Sequence, residues 1–461
     1  MGVDSPDLAT PATGRTPAVP RSRILTWPLI MVFLSTFGAG MSFCLLLSVV
    51  PLYASSIGAG GLGAGLTTGV LMASTVVAEL CTPRLAARFG HRAVMATGLV
   101  LLGVPALALP GSTSTATVMA VCAVRGAGFA VSVVLSGALV AALVPPERRG
   151  EGLGLYGVVV GVPAVVALPL GVWLAGEIGY PPVFVAGALA ALAGLAAVPA
   201  LPGRAPRPGP RAPVPGRSPA PARDQAAAPA AAPGRPPAPE HGQTPAQRAL
   251  GQAPAQQTYG QAPAQHTYGQ APAQRALGVL AGFRTPALVR PSIVFAATAM
   301  ASGTVVTFLP VAVPPGSGDL AAVALLTQAA ASTLTRWWAG WHADRHGTGR
   351  LLAPGVLMAA AGMTGLVFTT APAAVVAGMA LFGAGFGIAQ NASLTMMFER
   401  APASAYGTVS AVWNLAYDAG LGLGAVAAGV LAVRTGYPFA FALTAALVPI
   451  ALVLARPRPH R

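Results

Sequence analysis

GAGFAVSVVLSGALVAALVPPERRG (Gly126–Gly150) and GAGFGIAQNASLTMMFERAPASAYG (Gly383–Gly407) open on the same four residues and close on the same glycine, 257 positions apart (383 − 126 = 257). The register extends outward on both sides. Arg88 and Gly90 match Arg345 and Gly347, and Gly179-Tyr180-Pro181 matches Gly436-Tyr437-Pro438, all at that offset. In a chain rich in Ala and Gly single coincidences are cheap, but one offset held from Arg88 through Pro181 is not. The chain reads as two copies of one unit.

Composition places that unit in a membrane. Of 461 residues 54% are hydrophobic and 8% charged, and the mean hydropathy is +0.66, values of the membrane class. Apolar runs cover Ile24 to Tyr53, Leu62 to Ala78, Ala93 to Pro110, Ala116 to Val144, Gly152 to Ala175 and Val183 to Leu201. After a polar region come Ile293 to Val313, Leu320 to Thr335, Leu351 to Thr370, Ala373 to Phe398, Val409 to Val433 and Phe439 to Ala455. A helix needs about 20 residues to cross ~30 Å of hydrocarbon, so the shorter runs borrow flanking residues. Ala, Gly and Leu fill the runs without polar alternation, which disfavours barrel strands and leaves helices. The expected fold is an all-α integral membrane protein with twelve transmembrane helices in two six-helix repeats. An even number of spans preserves orientation, so the repeats are parallel, as in one class of secondary transporters. The first span follows Arg21 and Arg23 as a signal peptide would, but it is too long for a cleaved one and is expected to be retained.

The formal charge of +15 is carried by 27 basic residues, all arginine. Arg84, Arg88, Arg92, Arg148, Arg149, Arg345, Arg350 and Arg400 fall in alternate short connections, whereas the opposite connections hold little beyond Glu177, Asp319 and Arg434. By the positive-inside rule both termini and the central region are expected in the cytoplasm and the protein in the plasma membrane. Attraction to anionic membrane lipids is a secondary effect of the same charge. The arginines lack interleaved aromatics, so no nucleic-acid partner is expected. Cys44, Cys81 and Cys122 sit in or beside apolar runs without a CxxC or a His or carboxylate cluster, which argues against zinc or a disulfide.

Residues 203–287 change to Pro, Ala, Gln, Gly and Arg, a composition that cannot build a core. Within them a nine-residue unit runs four times, TPAQRALGQ from Thr244, APAQQTYGQ, APAQHTYGQ and APAQRALGV ending at Val279. Proline in every unit argues for a disordered linker. The expected organisation is an N-terminal tail (1–23), a six-helix bundle (24–202), the linker (203–287), a second six-helix bundle (288–456) and a short tail (457–461).

PRLAARFGHR (Pro83 to Arg92) follows the second span and GWHADRHGTGR (Gly340 to Arg350) the eighth. Here the chain resembles the major facilitator superfamily, whose loop signature has the form G-x-L-A-D-R-x-G-R-R. A glycine lets helices approach, an Asp and Arg form a clamp, and a second Gly turns the chain. The second copy keeps Gly340, Asp344, Arg345 and Gly347. The first keeps Arg88 and Gly90 but has Pro83 and Ala87 where Gly and Asp are expected, so its charge clamp cannot form. Arg125-Gly126-Ala127-Gly128 is similar to the family's R-x-x-G element, and ALPLGVWLAGEIGY (Ala167 to Tyr180) to a P-x-G element of exporters, here Pro169 and Gly171. With WNLAYDAGLGLG (Trp413 to Gly424), the chain most resembles the arabinose-efflux-permease and drug-efflux type.

Duplication separates scaffold from function. Residues shared at the offset, chiefly glycines, serve packing that both copies need; Gly128 has small neighbours, and Gly420 and Gly424 form a GxxxG. Arg125 pairs with Phe382 and Asp418 with Gly161, so neither charge is common scaffold. Each lies inside an apolar run, where a charge costs roughly 2.5 to 3.5 kcal/mol on insertion scales, and a water-filled cavity would compensate. Asp418 is the expected proton carrier, the alternative being an Asp fixed between helices; Asn414 lies one turn earlier on its face. Arg125 could bind an anionic substrate, pair with a carboxylate or anchor its helix to carbonyls, and the resemblance implies a part in proton coupling. Glu79 and Arg336 occupy matching positions with opposite signs (336 − 79 = 257) and are candidates for an inner gate. His91, His342 and His346 read as interfacial polar residues, and Trp337, Trp338 and Trp341 as an aromatic belt.

No P-loop, Ser-His-Asp set or dinucleotide fingerprint appears, so no enzyme activity and no cofactor is expected, and an ion gradient would supply the energy. The resemblance implies a monomeric transporter that rocks two halves about a central site and exports a small, moderately hydrophobic molecule against protons. Uptake or facilitated diffusion of a sugar or organic acid is one alternative; a transporter-like sensor signalling through its linker is another.

Overall fold

In hydrocarbon every backbone N–H and C=O needs a partner within its own segment, so these apolar runs can only wind into helices. The computed structural model describes residues 25–144, 149–203, 282–314, 317–346, 348–402 and 405–455, and every regular element among them is helical. In the first copy α1 is Trp27–Leu47, continued by Val49–Ala54; α2 is Gly60–Phe89, α3 His91–Gly103, α4 Thr115–Leu143, α5 Arg149–Ile178 and α6 Tyr180–Ala193, with a 3-10 extension Gly194–Ala200. In the second, α7 is Pro286–Ala312, α8 Gly318–His346, α9 Leu352–Gly365, α10 Pro372–Glu399, α11 Tyr406–Thr435 and α12 Tyr437–Leu447, followed by Ile450–Leu454.

Nine described stretches are long and apolar enough to cross a bilayer. One of them, Trp27–Phe89, has 63 residues and breaks into α1 and α2 at Gly58 and Gly60, whose φ angles are 93° and 60°. Two further helices complete the second copy as counterparts of α2 and α3: α8, made less apolar by Arg336, Trp337, Trp338, Trp341 and His342, and α9, of 14 residues. Leu334, Leu423 and Leu454 are 67%, 66% and 69% exposed, a pattern suited to lipid on the outside of the bundle rather than water.

The duplication in sequence is a duplication in space. Adding 257 to the bounds of α5 gives both bounds of α11, and α4 and α10, like α6 and α12, begin at matched residues. Gly179 and Gly436, with φ of 81° and 80°, make the same turn before α6 and α12; any residue with a Cβ would be strained there. A Cβ on Gly128 would meet the Leu102 nitrogen and Gly98 carbonyl, and one on Gly385 the Ala359 nitrogen and Gly355 carbonyl. Every member of the second set is 257 residues beyond its counterpart. Gly126 and Gly383 lie against the carbonyls of Leu71 and Gln328 in the same way.

Between the copies α2 packs on α11 and α5 on α8. Since α2 and α8 are equivalent, as are α5 and α11, the two seams are related by the pseudo-twofold that relates the copies. The linker expected over 203–287 lies outside the described residues except at its ends, with α7 starting at Pro286; the tails over 1–23 and 457–461 also lie outside them.

Equivalent close contacts should give equivalent penalties. Gly128→Val and Gly385→Val are each expected to cost about 1–3 kcal/mol by overpacking. Cys44 and Cys122 are buried and free, so the temperature at which they become reactive to a thiol dye in the full chain checks this. A penalty at one glycine with none at the other would show that the contacts are not equivalent.

Candidate functional site

The two copies are sealed together at the end away from the arginine-rich loops. Gly61, Gly65 and Gly69, in the first three turns of α2, lie against α11. A Cβ on Gly65 would meet the Ala425 carbonyl, one on Gly69 the Val426 side chain, and one on Gly429 would come within 2.8 Å of the Gly61 carbonyl. Alongside, Ser48 Oγ donates to the Val306 carbonyl at 2.8 Å, and the Thr68 and Thr307 hydroxyls are 3.0 Å apart. The first contact joins α7 to the residue that closes α1; the second joins α2 to α7.

Further along the α2–α11 seam the sequence places carboxyl groups on both helices. Asp418 of α11, 6% exposed, lies within side-chain hydrogen-bonding reach of half-buried Glu79 of α2. Two carboxyl groups can hydrogen-bond only if one of them donates a proton. Tyr417 is in electrostatic reach of Asp418 and of Arg336 from α8. Arg336 is thus in electrostatic reach of Tyr417, and Glu79 of Asp418. The position that matches Glu79 in sequence is not the one that meets it in space, because α2 packs on α4 and α11 whereas α8 packs on α10 and α5.

Aromatic rings stand beside the pair. Phe295 of α7 stacks on Trp413 with centroids 4.4 Å apart and on Tyr417 at 5.8 Å, and Phe386 of α10 lies 6.3 Å from both Phe295 and Tyr417. The indole Nε1 of Trp413 donates to Ser393 Oγ at 3.1 Å, which satisfies its one polar atom. Asn414, half-buried, lies one turn before Asp418. Sequence reasoning missed Phe295, Phe386 and Tyr417. The available signal was Phe386, the match of Phe129, which stacks on Phe43 with centroids 3.6 Å apart.

Arg125 is elsewhere. It is 1% exposed, and its Nη1 and Nη2 donate to the carbonyls of Leu102 in α3 and Ser42 in α1 at 3.1 and 3.2 Å. Among the described residues it meets carbonyl groups, not a carboxylate, and is not brought to Asp418. The motif loops are partly visible. Gly90 turns the chain between α2 and α3 with φ 82°, and the exposed Arg88 lies 5.2 Å from the ring of Phe89. Arg345 lies over the ring of Trp341 at 3.8 Å. Gly340 is in α8, beside the amide of Asn391. Gly347 and the side chain of Asp344 lie outside the described residues, so the expected clamp is not seen. Pro169 falls within α5, and a Cβ on Gly171 would meet the Leu45 carbonyl. Gly420 and Gly424 lie against the carbonyls of Ala296 and Met300 in α7. Among the described residues no three His, Cys, Asp or Glu side chains gather as a metal site.

Comparison with known proteins adds the following. The family profile described as Major Facilitator Superfamily matches residues 32–425 and 292–461. Proteins of Burkholderia mallei (strain SAVP1) and Burkholderia pseudomallei (strain K96243), each described as an uncharacterized MFS-type transporter, are 39% identical over 98 residues, 21% of this chain. The match spans 22% of the length of those relatives. In fold, the chain is similar to a bacterial homologue of the human lysosomal transporter Spinster, solved in an inward-facing and unoccupied conformation (TM-score 0.68, 14% identity, 94% of this chain and 98% of that one). It is also similar to a D-xylose-proton symporter (0.65, 15%, 93% and 96%) and to the nucleoside transporter NupG (0.61, 11%, 93% and 97%).

Removing the guanidinium that ties α4 to α1 and α3 should loosen the first copy. Arg125→Ala is expected to cost about 2–4 kcal/mol through the cavity it leaves and the carbonyls it abandons. Thermal unfolding of the full chain in detergent measures this, and an unchanged midpoint would mean that the tether adds nothing to stability.

Proposed function

Because the chain belongs to the Major Facilitator Superfamily, a family of multi-pass membrane transporters and not of enzymes, we propose that it is a secondary active exporter that exchanges a small, moderately hydrophobic molecule for protons. The observation that carries this reading is the approach of Glu79 to Asp418, within hydrogen-bonding reach, across the seam of the two halves. Rocking one half against the other changes the separation of α2 and α11, and with it the ability of the two carboxyls to hold a common proton. A proton bound there is therefore coupled to which side of the membrane the site faces.

The stacked rings of Phe295, Phe386, Trp413 and Tyr417, with Asn414 and Asp418 beside them, suit an apolar molecule carrying a few polar groups. This agrees with the resemblance to drug-efflux permeases. Arg125 serves coupling indirectly in this reading, by fixing α4 to α1 and α3. Glu79, Arg336 and the loop residues Arg345 and Asp344 belong to the gate at the arginine-rich end. The arginine distribution supports an orientation with that end and both termini in the cytoplasm, and the protein works as a monomer in the plasma membrane.

A second reading, uptake of a polar solute, draws on Asn391, whose buried Oδ1 has no hydrogen-bond partner among the described residues, and on the fold shared with a sugar symporter and a nucleoside transporter.

Proteoliposomes screened with dyes, antibiotics, nucleosides and sugars separate the two readings. A hydrophobic compound is expected to drive proton movement in the native chain, and Asp418→Asn or Glu79→Gln to reduce that movement at least tenfold, as loss of an essential proton site does, while substrate exchange without a gradient persists. Equal proton movement in native and variant chains would refute the role of the pair; accumulation of a sugar or nucleoside with no response to apolar compounds would favour uptake.

A further inference from the structure

We propose that the second half of the protein carries a binding site for an anionic phospholipid in the groove between α7, α9, α10 and the Ile450–Leu454 segment that follows α12, with the phosphate held by Arg290 and Arg400. The groove has a volume of about 800 Å³ at the arginine-rich end of the bundle. Its walls are apolar, formed by Val294, Leu352, Leu357, Met396, Leu452 and Val453, and among the described residues no acidic side chain lines it. Leu357 and Val453 are 54% and 59% exposed, so the groove opens sideways on the face of the bundle that meets lipid. Arg290 is half-buried on α7 and Arg400 is exposed at the end of α10. Two cations at the mouth of an apolar furrow, near the membrane surface, match a ligand with an anionic head and hydrocarbon tails.

Internal duplication supplies the comparison that separates this groove from a generic dent. The first half has a furrow of about 420 Å³ between α1 and α6 that overlaps it in part. Its Leu34, Phe37 and Ala196 match Pro291, Val294 and Val453 at the 257 offset. Where the second half has Arg290 and Arg400, the first has Phe33 and Leu143 (290 − 257 = 33; 400 − 257 = 143), and where the second has Gly349 the first has Arg92, whose Nε donates to the Leu201 carbonyl (349 − 257 = 92). The stretch that the two furrows share follows from the fold, since both halves have it. The paired arginines do not, and α7 and α10 pack without needing them, as α1 and α4 do. A free anion would use the arginines but leave the apolar walls without a role, whereas a phospholipid occupies both.

The test is native mass spectrometry of the full chain released from detergent, titrated with phosphatidylglycerol and with phosphatidylcholine of the same acyl chains. One phosphatidylglycerol per chain is expected to be retained in preference to phosphatidylcholine. Arg290→Ala with Arg400→Ala should weaken that retention about thirtyfold, while Arg434→Ala, at the opposite end, leaves it unchanged. Equal retention of the two lipids by the native chain overturns the proposal whether or not the double variant folds. Loss of phosphatidylglycerol from Arg434→Ala to the same extent as from the double variant, or its displacement by inorganic phosphate at equal concentration, overturns it as well.

Discussion

Where α2 crosses α11, Gly61, Gly65 and Gly69 face Gly429, Ala425 and Gly422, and the two backbones come close enough to exclude a side chain. The drive to pack in lipid is weak compared with water, since hydrocarbon solvates an apolar helix as well as another helix does, so contact area and close approach have to supply it. The glycines allow that approach. Once the helices touch at one end, their crossing sets what meets further along, and there Glu79 of one half reaches Asp418 of the other. The seal and the carboxyl pair are two parts of one helix crossing.

Symmetry then explains where chemistry can reside. Contacts made twice, such as Gly128 on α3 and Gly385 on α9, are the scaffold on which both halves are built. Residues that break the repeat are free to specialise. Asp418 replaces Gly161, Arg125 replaces Phe382, and Glu79 stands where its partner copy has Arg336. A buried charge in a membrane is costly unless compensated, and each has found a different compensation. Asp418 can share a proton with a second carboxyl; Arg125 has two carbonyl oxygens; Arg336 stays exposed and in electrostatic reach of a phenol.

The loops departing from the family signature fit the same pattern. Ala87 removes the expected acid from the first copy, and the exposed Arg88 lies near the ring of Phe89 instead of a carboxylate. In the second copy Arg345 also lies over a ring, that of Trp341. Two helix ends that share a signature have each placed an arginine on a neighbouring aromatic, a contact of modest strength at an exposed position.

Much of the fold was legible in the residues. Apolar run lengths, a fixed offset and alternating arginine content yield the helices, their duplication and their order, because each is a local or periodic property that lipid enforces segment by segment. The isolated charges at Asp418 and Arg125 were also legible, since an unmatched charge in an apolar run stands out. Their partners were not. Glu79 and Asp418 are far apart along the chain and on different halves, and nothing in either helix names the other. Phe295, Phe386 and Tyr417 look like ordinary span residues until α7, α10 and α11 converge. The sequence determined which segments cross the membrane and which positions break the repeat; the tertiary structure alone decided which of those positions touch, because that depends on how tightly two helices can approach and at what angle they cross.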